Sequence, residues 1–525
     1  MITQNILSII LVLPLLGAAA VFLLPRQAAG AIKATGIAFS LVAFILSVWL
    51  FIAFDAAAPG MQFIEYTPWI PSLDVSFHIG IDGISLLLVV LTTFLTPIAL
   101  LASWDSVKDR LKGFVALMLL LEMGTLGVFL SLDLFLFYVF WEFMLIPMYF
   151  IIGIWGGAER VYAAVKFFLY TMAGSVLMLV AILSLWFLQK ETTGVPTFDL
   201  QAFYQLPIAP SRQLWMFLAF AFAFAIKVPM FPLHTWLPDA HVEAPTAGSV
   251  ILAAVLLKMG SYGFLRFAMP LFPNALAVCA PYIAWLSIIG IVYGALVAMV
   301  QPDLKKLVAY SSVSHMGFAM LGLMAMNSQG FAGSMMTMLN HGVSTGALFL
   351  LVGVVYERRH TRKIADFGGL WKVIPVYSVI FLVVMLSSVG LPGTNGFIGE
   401  FLVLLGAFKH QVTWAVVAAT GVILSACYML WMFQRVVFGP VTHEENRKLT
   451  DLSFRERLVF APLLVLIFWM GAAPQPFLDR MQPALDRVLQ TTNDRAQMMA
   501  SAPAPAGTLA ERVVLPARAE QGGAR

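Results

Sequence analysis

The sequence predicts an all-α polytopic membrane protein of 14 transmembrane helices, with two inverted five-helix repeats and two broken helices. Three observations carry this. Of 525 residues, 61% are hydrophobic and 11% charged, with a mean hydropathy of +0.90; soluble globular chains are about half apolar and a quarter charged. Apolar runs close to the roughly 20 residues that span a hydrocarbon core recur along the whole chain. Lys and Arg are concentrated in alternate loops.

The first apolar run, 4–24, has no Lys or Arg before Arg26. A cleaved signal takes a basic start and a shorter apolar core, so this run is read as a retained span. The others are 31–54, 82–102, 113–131, 133–153, 161–188, 213–231, 247–266, 275–300, 307–326, 331–355, 374–408, 412–436 and 457–475. Between the second and third, "MQFIEYTPWIPSLDVSFHIG" has β-rich runs either side of Pro71 and predicts a hairpin. With three residues of each flanking helix end counted, loops after odd-numbered spans hold 18 Lys or Arg and those after even-numbered spans hold 4. The positive-inside rule then puts the odd loops in the cytoplasm and both termini outside.

This divides the chain into N-terminal helices with the hairpin (1–112), two repeats (113–269 and 275–436), a loop with the last helix (437–496) and a tail (497–525). The tail is rich in Ala, Pro, Gly and Arg and reads as disordered. Five is odd, so the second repeat must sit upside down relative to the first, the plan of many secondary transporters.

Several chemistries are not expected. Cys279 and Cys427 stand alone without a CxxC pair, which argues against an iron–sulfur cluster, a zinc site or a disulfide framework. No nucleotide-binding glycine motif is present. The net charge of +4 gives no sign of nucleic acid. The chain is expected to hold no redox centre or other cofactor and no metal.

What remains is a set of ionisable residues inside apolar runs. Glu142 lies in "FYVFWEFMLIPMYF", Lys258 in "ILAAVLLKMGSYGF", His315 in "YSSVSHMGFAM", His341 in "MTMLNHGVSTGALF" and Glu400 in "GTNGFIGEFLVLLGAF". Lys227 opens "KVPMFPLHTWLPDAH", and Glu122 in the fourth span is a weaker candidate. Each charge at mid-membrane costs roughly 2.5–3.5 kcal/mol on the insertion scale. Singly, a histidine reads as a hydrogen-bonded structural residue, and Glu142 with Lys227 as a static ion pair. Six such groups on six spans are harder to explain by packing alone.

Two of these runs are interrupted. Pro229 and Pro232 follow Lys227 and break the helical ladder because they lack N–H donors. In the second repeat, "LPGTNGFIGE" with Pro392 splits the corresponding helix ahead of Glu400. Interrupted segments at matching positions of two halves point to a transport site. Backbone freed at membrane depth persists only beside protein or water, so Lys227 is expected to face a hydrated pocket. Two core lysines would repel a metal cation. His234, Asp239 and His241 lack metal-ligand spacing, because His241 lies seven positions after His234 with Pro238 between them. Lys, Glu and His share the ability to take up and release protons, and burial brings lysine and glutamate nearer neutral pH. A proton relay is the economical reading.

The stretches quoted above, with "KVPMFPLHTWLPDAHVEAPTAGSVILAAVLLKMGSYGFLR", "LKKLVAYSSVSHMGF", "NHGVSTGALFLLVG" and "LPGTNGFIGEFL", resemble the antiporter-like membrane subunits of proton-pumping NADH:quinone oxidoreductase, respiratory complex I. The resemblance covers almost everything but the tail. In that family chains L and N carry a lysine in the broken twelfth helix and chain M a glutamate, as Glu400 here; chain L also ends in a long lateral helix, where this sequence shows only its tail. The chain M type, the bacterial counterpart of mitochondrial subunit 4, fits best. The resemblance implies that Glu142 and Lys227 form a pair setting the lysine's proton affinity. It implies that Lys258 and His315 carry the proton, that His341 is a polar station, and that Glu400 exchanges with the far side. It also implies a bacterial inner membrane with periplasmic termini, membrane lipids around the chain, and chains L and N as neighbours. NADH, FMN, iron–sulfur clusters and quinone would sit in partner subunits. A multisubunit cation/proton antiporter and a membrane scaffold with static ion pairs remain the alternatives.

Overall fold

The computed structural model describes residues 4–501. Eleven helices in it are long and apolar enough to cross a membrane, or twelve if the bent pair Phe454–Ala472 and Gln475–Met499 forms one span. The sequence count of 14 is higher because two expected spans are split. The run 213–231 is helix Pro210–Lys227, followed by a turn and Trp236–Glu243; the run 374–408 is Pro375–Val389 and Asn395–His410. None of these four pieces combines the length and hydropathy of a full span. A third interruption was not expected: Leu134–Phe143 and Leu145–Trp155 meet at Met144, just after Glu142. Pro147 explains it, since it has no N–H to give Phe143 four residues earlier.

The hairpin is present, with Gln62–Ile70 antiparallel to Val75–Ile81. Its second strand runs directly into Asp82, whose carboxylate accepts from the amides of Ile84 and Ser85 and starts helix Gly83–Ala102. Arg266, at the far end of helix Thr246–Leu271, closes on the same carboxylate at 2.6 Å.

The two five-helix sets are visible in matching caps. Asp133 accepts from the amides of Phe135 and Leu136, starting helix Leu134–Phe143, and bridges to Asp199. Asp303 accepts from the amides of Lys305 and Lys306, starting helix Leu304–Met324, and bridges to Lys363. The neighbouring backbone bonds repeat as well: Leu134 N–H donates to Phe198 O, and Leu304 N–H to Arg362 O. Each capped helix is second in its set, and each bridge reaches the segment after the third helix, Arg160–Thr193 in one and Ser328–Arg359 in the other. Asp133 bonds Ser76 of the hairpin, whereas Asp303 pairs with Arg362 in the basic loops. The caps therefore lie on opposite faces, as inversion requires.

Glycines set how closely the helices approach, as small residues do between membrane helices. A Cβ on Gly399 would lie 2.6 Å from Thr337 Oγ1, and one on Gly333 2.4 Å from Val403 N, so Asn395–His410 seats its backbone on Ser328–Arg359. A Cβ on Gly260 would lie 2.6 Å from Phe224 O and 2.9 Å from Val228 N. That absence lets helix Thr246–Leu271 touch the turn that carries Lys227.

The C-terminal region differs from expectation. After Phe454–Ala472 the chain turns by 68° into helix Gln475–Ser501. Phe477, Met481, Leu485 and Val488 are buried and Asp479, Asp486 and Arg487 are exposed, giving an amphipathic helix of the kind that lies along an interface. Interleaved charges kept its hydropathy low, so the search for long apolar runs passed over it. Residues 497–501, expected in the disordered tail, belong to this helix; the rest of that tail lies outside the described residues.

Candidate functional site

Lys227 is the last residue of helix Pro210–Lys227 and is 1% exposed. Its Nζ lies 3.6 Å from the Met144 sulfur, 5.5 Å from the centre of the Trp141 ring and 5.4 Å from that of Phe167. An aromatic and thioether cage thus stands where the sequence suggested a hydrated pocket. Desolvated cation–π contacts are worth up to about 2 kcal/mol each. Two of them offset much of the roughly 2.5–3.5 kcal/mol of burying a charge, so Lys227 does not need a permanent ion pair. After it, the Trp236 indole donates to the freed Ile226 carbonyl at 2.9 Å. Pro229 and Pro232 lie in the turn between the two half-helices.

Glu142 sits beside this cage, next to Trp141 in sequence and two residues before the interruption at Met144. Its carboxylate and the Lys227 ammonium attract each other, yet no N···O distance between them falls within 4.0 Å. One carboxylate oxygen is buried without a hydrogen-bond partner. The two charges are neighbours held apart, with Met144 between their helices.

The remaining four candidates form one connected row. Lys258 Nζ donates to Ala253 O at 2.6 Å and lies 2.6 Å from His341 Nδ1. The wide turn Leu252–Leu256, a π-helical segment just ahead of Lys258, brings that carbonyl within reach. The rings of His341 and His315 are 6.2 Å apart, and His315 Nδ1 lies 3.0 Å from Glu400 Oε1. Nε2 of both histidines is buried without a partner. A cavity of ≈ 20 Å³ lies among His315, His341, Asn340, Ser344, Ser387 and Glu400, enough for about one water. Four helices contribute to this row, Thr246–Leu271, Ser328–Arg359, Leu304–Met324 and Asn395–His410, and it crosses from the first helical set into the second.

The second break is held open by polar bonds. Helix Pro375–Val389 ends at Gly390, φ +83°, and Leu391, Pro392 and Gly393 turn the chain before Asn395. Asn395 Oδ1 accepts from the hydroxyls of Ser387 and Ser344, and Asn340 donates to the Asn395 carbonyl. Sequence reasoning missed these residues; Asn395 was readable from "LPGTNG", but its partners lie on other helices.

Other candidates scatter. Asp239 is tied to Lys166 at 2.7 Å. His234 stands among Phe231 and Tyr293 with its ring centre 5.1 Å from the latter. Glu122 is 1% exposed with both oxygens unpartnered. His241, fully buried, stacks on Phe349 at 4.5 Å and feels the charges of Lys305 and Lys258. Lys305 itself was counted only as an orientation charge, yet it is buried and donates to the carbonyls of Val242 and Ala244. Among the described residues, no group of three or more His, Cys, Asp or Glu is placed to hold a metal ion.

A family model described as NADH:quinone oxidoreductase/Mrp antiporter matches residues 131–425. The chain is 48% identical to NADH-quinone oxidoreductase subunit M of Rhodobacter capsulatus, over 96% of this chain and 100% of that protein. It is 46% identical to NADH-ubiquinone oxidoreductase chain 4 of Marchantia polymorpha, over 92% of this chain and 97% of that one. Among solved structures it matches a chain of respiratory complex I from Thermus thermophilus with TM-score 0.84 and 35% identity, covering 93% and 99%. On this evidence the chain belongs to the antiporter-like family of proton-translocating, multi-pass membrane subunits of NADH:quinone oxidoreductase, in the branch that holds subunit M and chain 4.

Proposed function

We propose that this subunit moves protons along Glu142, Lys227, Lys258, His341, His315 and Glu400, driven by redox chemistry in other subunits of the complex. The observation that carries the reading is the run of contacts from Lys258 through His341 and His315 to Glu400. In it every side chain both accepts and donates protons, as a relay requires. Lys227 loads when Glu142 approaches and unloads when Glu142 withdraws, because the ammonium loses its counter-charge and is left in an apolar cage. The helix contact at Gly260 joins this pair to Lys258. Glu400 is the terminal group that exchanges with the far side. Lys305 and His241 lead from the basic face towards Lys258, which suits them to proton supply.

In this reading the units are 1–112, the repeats 113–269 and 275–436, and 437–496. NADH, FMN, the iron–sulfur clusters and quinone sit in partner subunits, and chains of the L and N types flank this one. The protein lies in a bacterial inner membrane with basic loops inside and both termini in the periplasm; the 18 to 4 split of Lys and Arg supports that orientation. The test is NADH-driven proton uptake into inverted vesicles carrying Lys258→Met or His315→Ala complexes, normalised to complex content. Loss of uptake with the complex assembled supports the relay, and wild-type uptake in both rejects it.

A further inference from the structure

Four helices leave an apolar slot of ≈ 170 Å³ between them, lined by Phe44, Val48, Leu87, Leu91, Leu466 and Trp469 among others. Helices Ala29–Ala53, Gly83–Ala102, Ser328–Arg359 and Phe454–Ala472 supply all but one of its walls, so it lies within the membrane-spanning layer. Phe44 and Phe94, 5.5 Å apart, close the inner end. Phe51 and Phe477, 6.2 Å apart, flank the end towards the hairpin face. Phe44 to Phe51 and Leu87 to Phe94 are two helical turns each, so the slot is about 10 Å deep. Trp469 is 43% exposed and Phe44, Val48 and Leu466 partly so, which leaves the slot open on its lipid side.

At the mouth stands a cation with no counter-ion among the described residues. The Arg480 guanidinium covers the Phe51 ring at 4.0 Å and donates to the carbonyls of Phe51 and Pro476. Among the described residues no carboxylate pairs with it and its second terminal nitrogen makes no hydrogen bond. We propose that a phospholipid occupies this place, one acyl chain in the slot and its phosphate on Arg480. A dry apolar cavity of about 150 Å³ holds a benzene ring, so the slot takes an acyl segment of roughly six carbons. Arginine at interfacial depth beside an aromatic ring offers the fork that a phosphate accepts. The site does not depend on the proton route, although Leu339 and Val343 line it from the helix that carries His341.

The test uses the whole complex reconstituted in phosphatidylethanolamine vesicles in which part of the lipid carries a photoactivatable diazirine in its acyl chain. Labelling should fall on Phe44, Val48, Leu466 and Trp469 well above their exposed neighbours Ile45 and Val465, which do not line the slot. Arg480→Gln should lower it about two- to fivefold, the scale of a partly exposed ion pair. Val48→Trp should remove it by filling the slot while labelling at Ile45 persists. Equal labelling of slot and neighbours overturns the proposal, as does labelling unchanged by both variants, or a slot left unlabelled because another subunit covers it.

Discussion

His315 Nδ1 lies 3.0 Å from Glu400 Oε1, and this pair joins the second and fourth helices of its set, as Glu142 and Lys227 stand on the second and fourth helices of theirs. In each set one member is on the second helix and the other on the broken fourth, with acid and base exchanged. The two pairs differ in contact. His315 and Glu400 are hydrogen-bonded, whereas Glu142 and Lys227 are held beyond 4.0 Å. One pair is engaged and the other open, as a relay with two alternating gates would be.

Glu400→Gln should reduce NADH-driven proton pumping by about tenfold or more, the usual scale for losing a proton-transfer group. The amide still fits beside His315 but no longer titrates. Glu400→Lys should recover part of the loss, because lysine does titrate there. Pumping measured in membranes with complex content normalised checks both, and full activity of the Gln variant would take Glu400 off the route.

Glu142→Gln keeps the size of the side chain and removes the charge that attracts Lys227. Pumping should fall sharply, with Glu142→Asp milder because the charge remains near the cage. Equal activity of Gln and wild type would make the pair a structural one.

Lys227→Met should assemble well, since the cage of Met144, Trp141 and Phe167 suits a thioether as readily as an ammonium stem. The same variant should lose pumping and coupled quinone reduction. Poor assembly with normal specific activity would reverse the assignment, making the lysine a packing residue.

Gly260→Val tests the contact that joins helix Thr246–Leu271 to the end of the helix carrying Lys227. Its added carbons meet Phe224 O and the Val228 backbone, where overpacking costs typically 1–3 kcal/mol. The expected outcome is a lowered melting temperature of the complex and impaired proton transfer, while Gly194→Ala, a position with nothing within 4 Å but φ +77°, should affect stability alone. Pumping at wild-type rate in assembled Gly260→Val complexes would show that the helix contact plays no part in transfer.

Much of the architecture was legible because bilayer length and proline chemistry leave direct marks: the apolar runs, the hairpin around Pro71 and both breaks follow from them. The six ionisable residues, five of them buried and Glu142 partly so, stood out against apolar neighbours for the same reason. Partners were less readable. Trp141 and Met144 flank Glu142 in sequence, but Phe167 joins them only once helix Arg160–Thr193 folds against that face. His341 and Lys258 are 83 positions apart and nothing local pairs them. Lys305 hid among loop charges because its burial depends on the carbonyls of Val242 and Ala244. Helix Gln475–Ser501 was lost because an amphipathic helix lacks the long apolar run by which spans were sought.

Lys258 stands where the first set meets the second, bonded at once to Ala253 and His341, and removing its charge interrupts every route through the row. The number of protons translocated per electron should therefore be measured in proteoliposomes holding the purified Lys258→Met complex, with NADH oxidation followed in the same sample. The relay predicts a complex that assembles and oxidises NADH slowly, with fewer protons moved per electron than wild type. A wild-type ratio at a wild-type rate would contradict it.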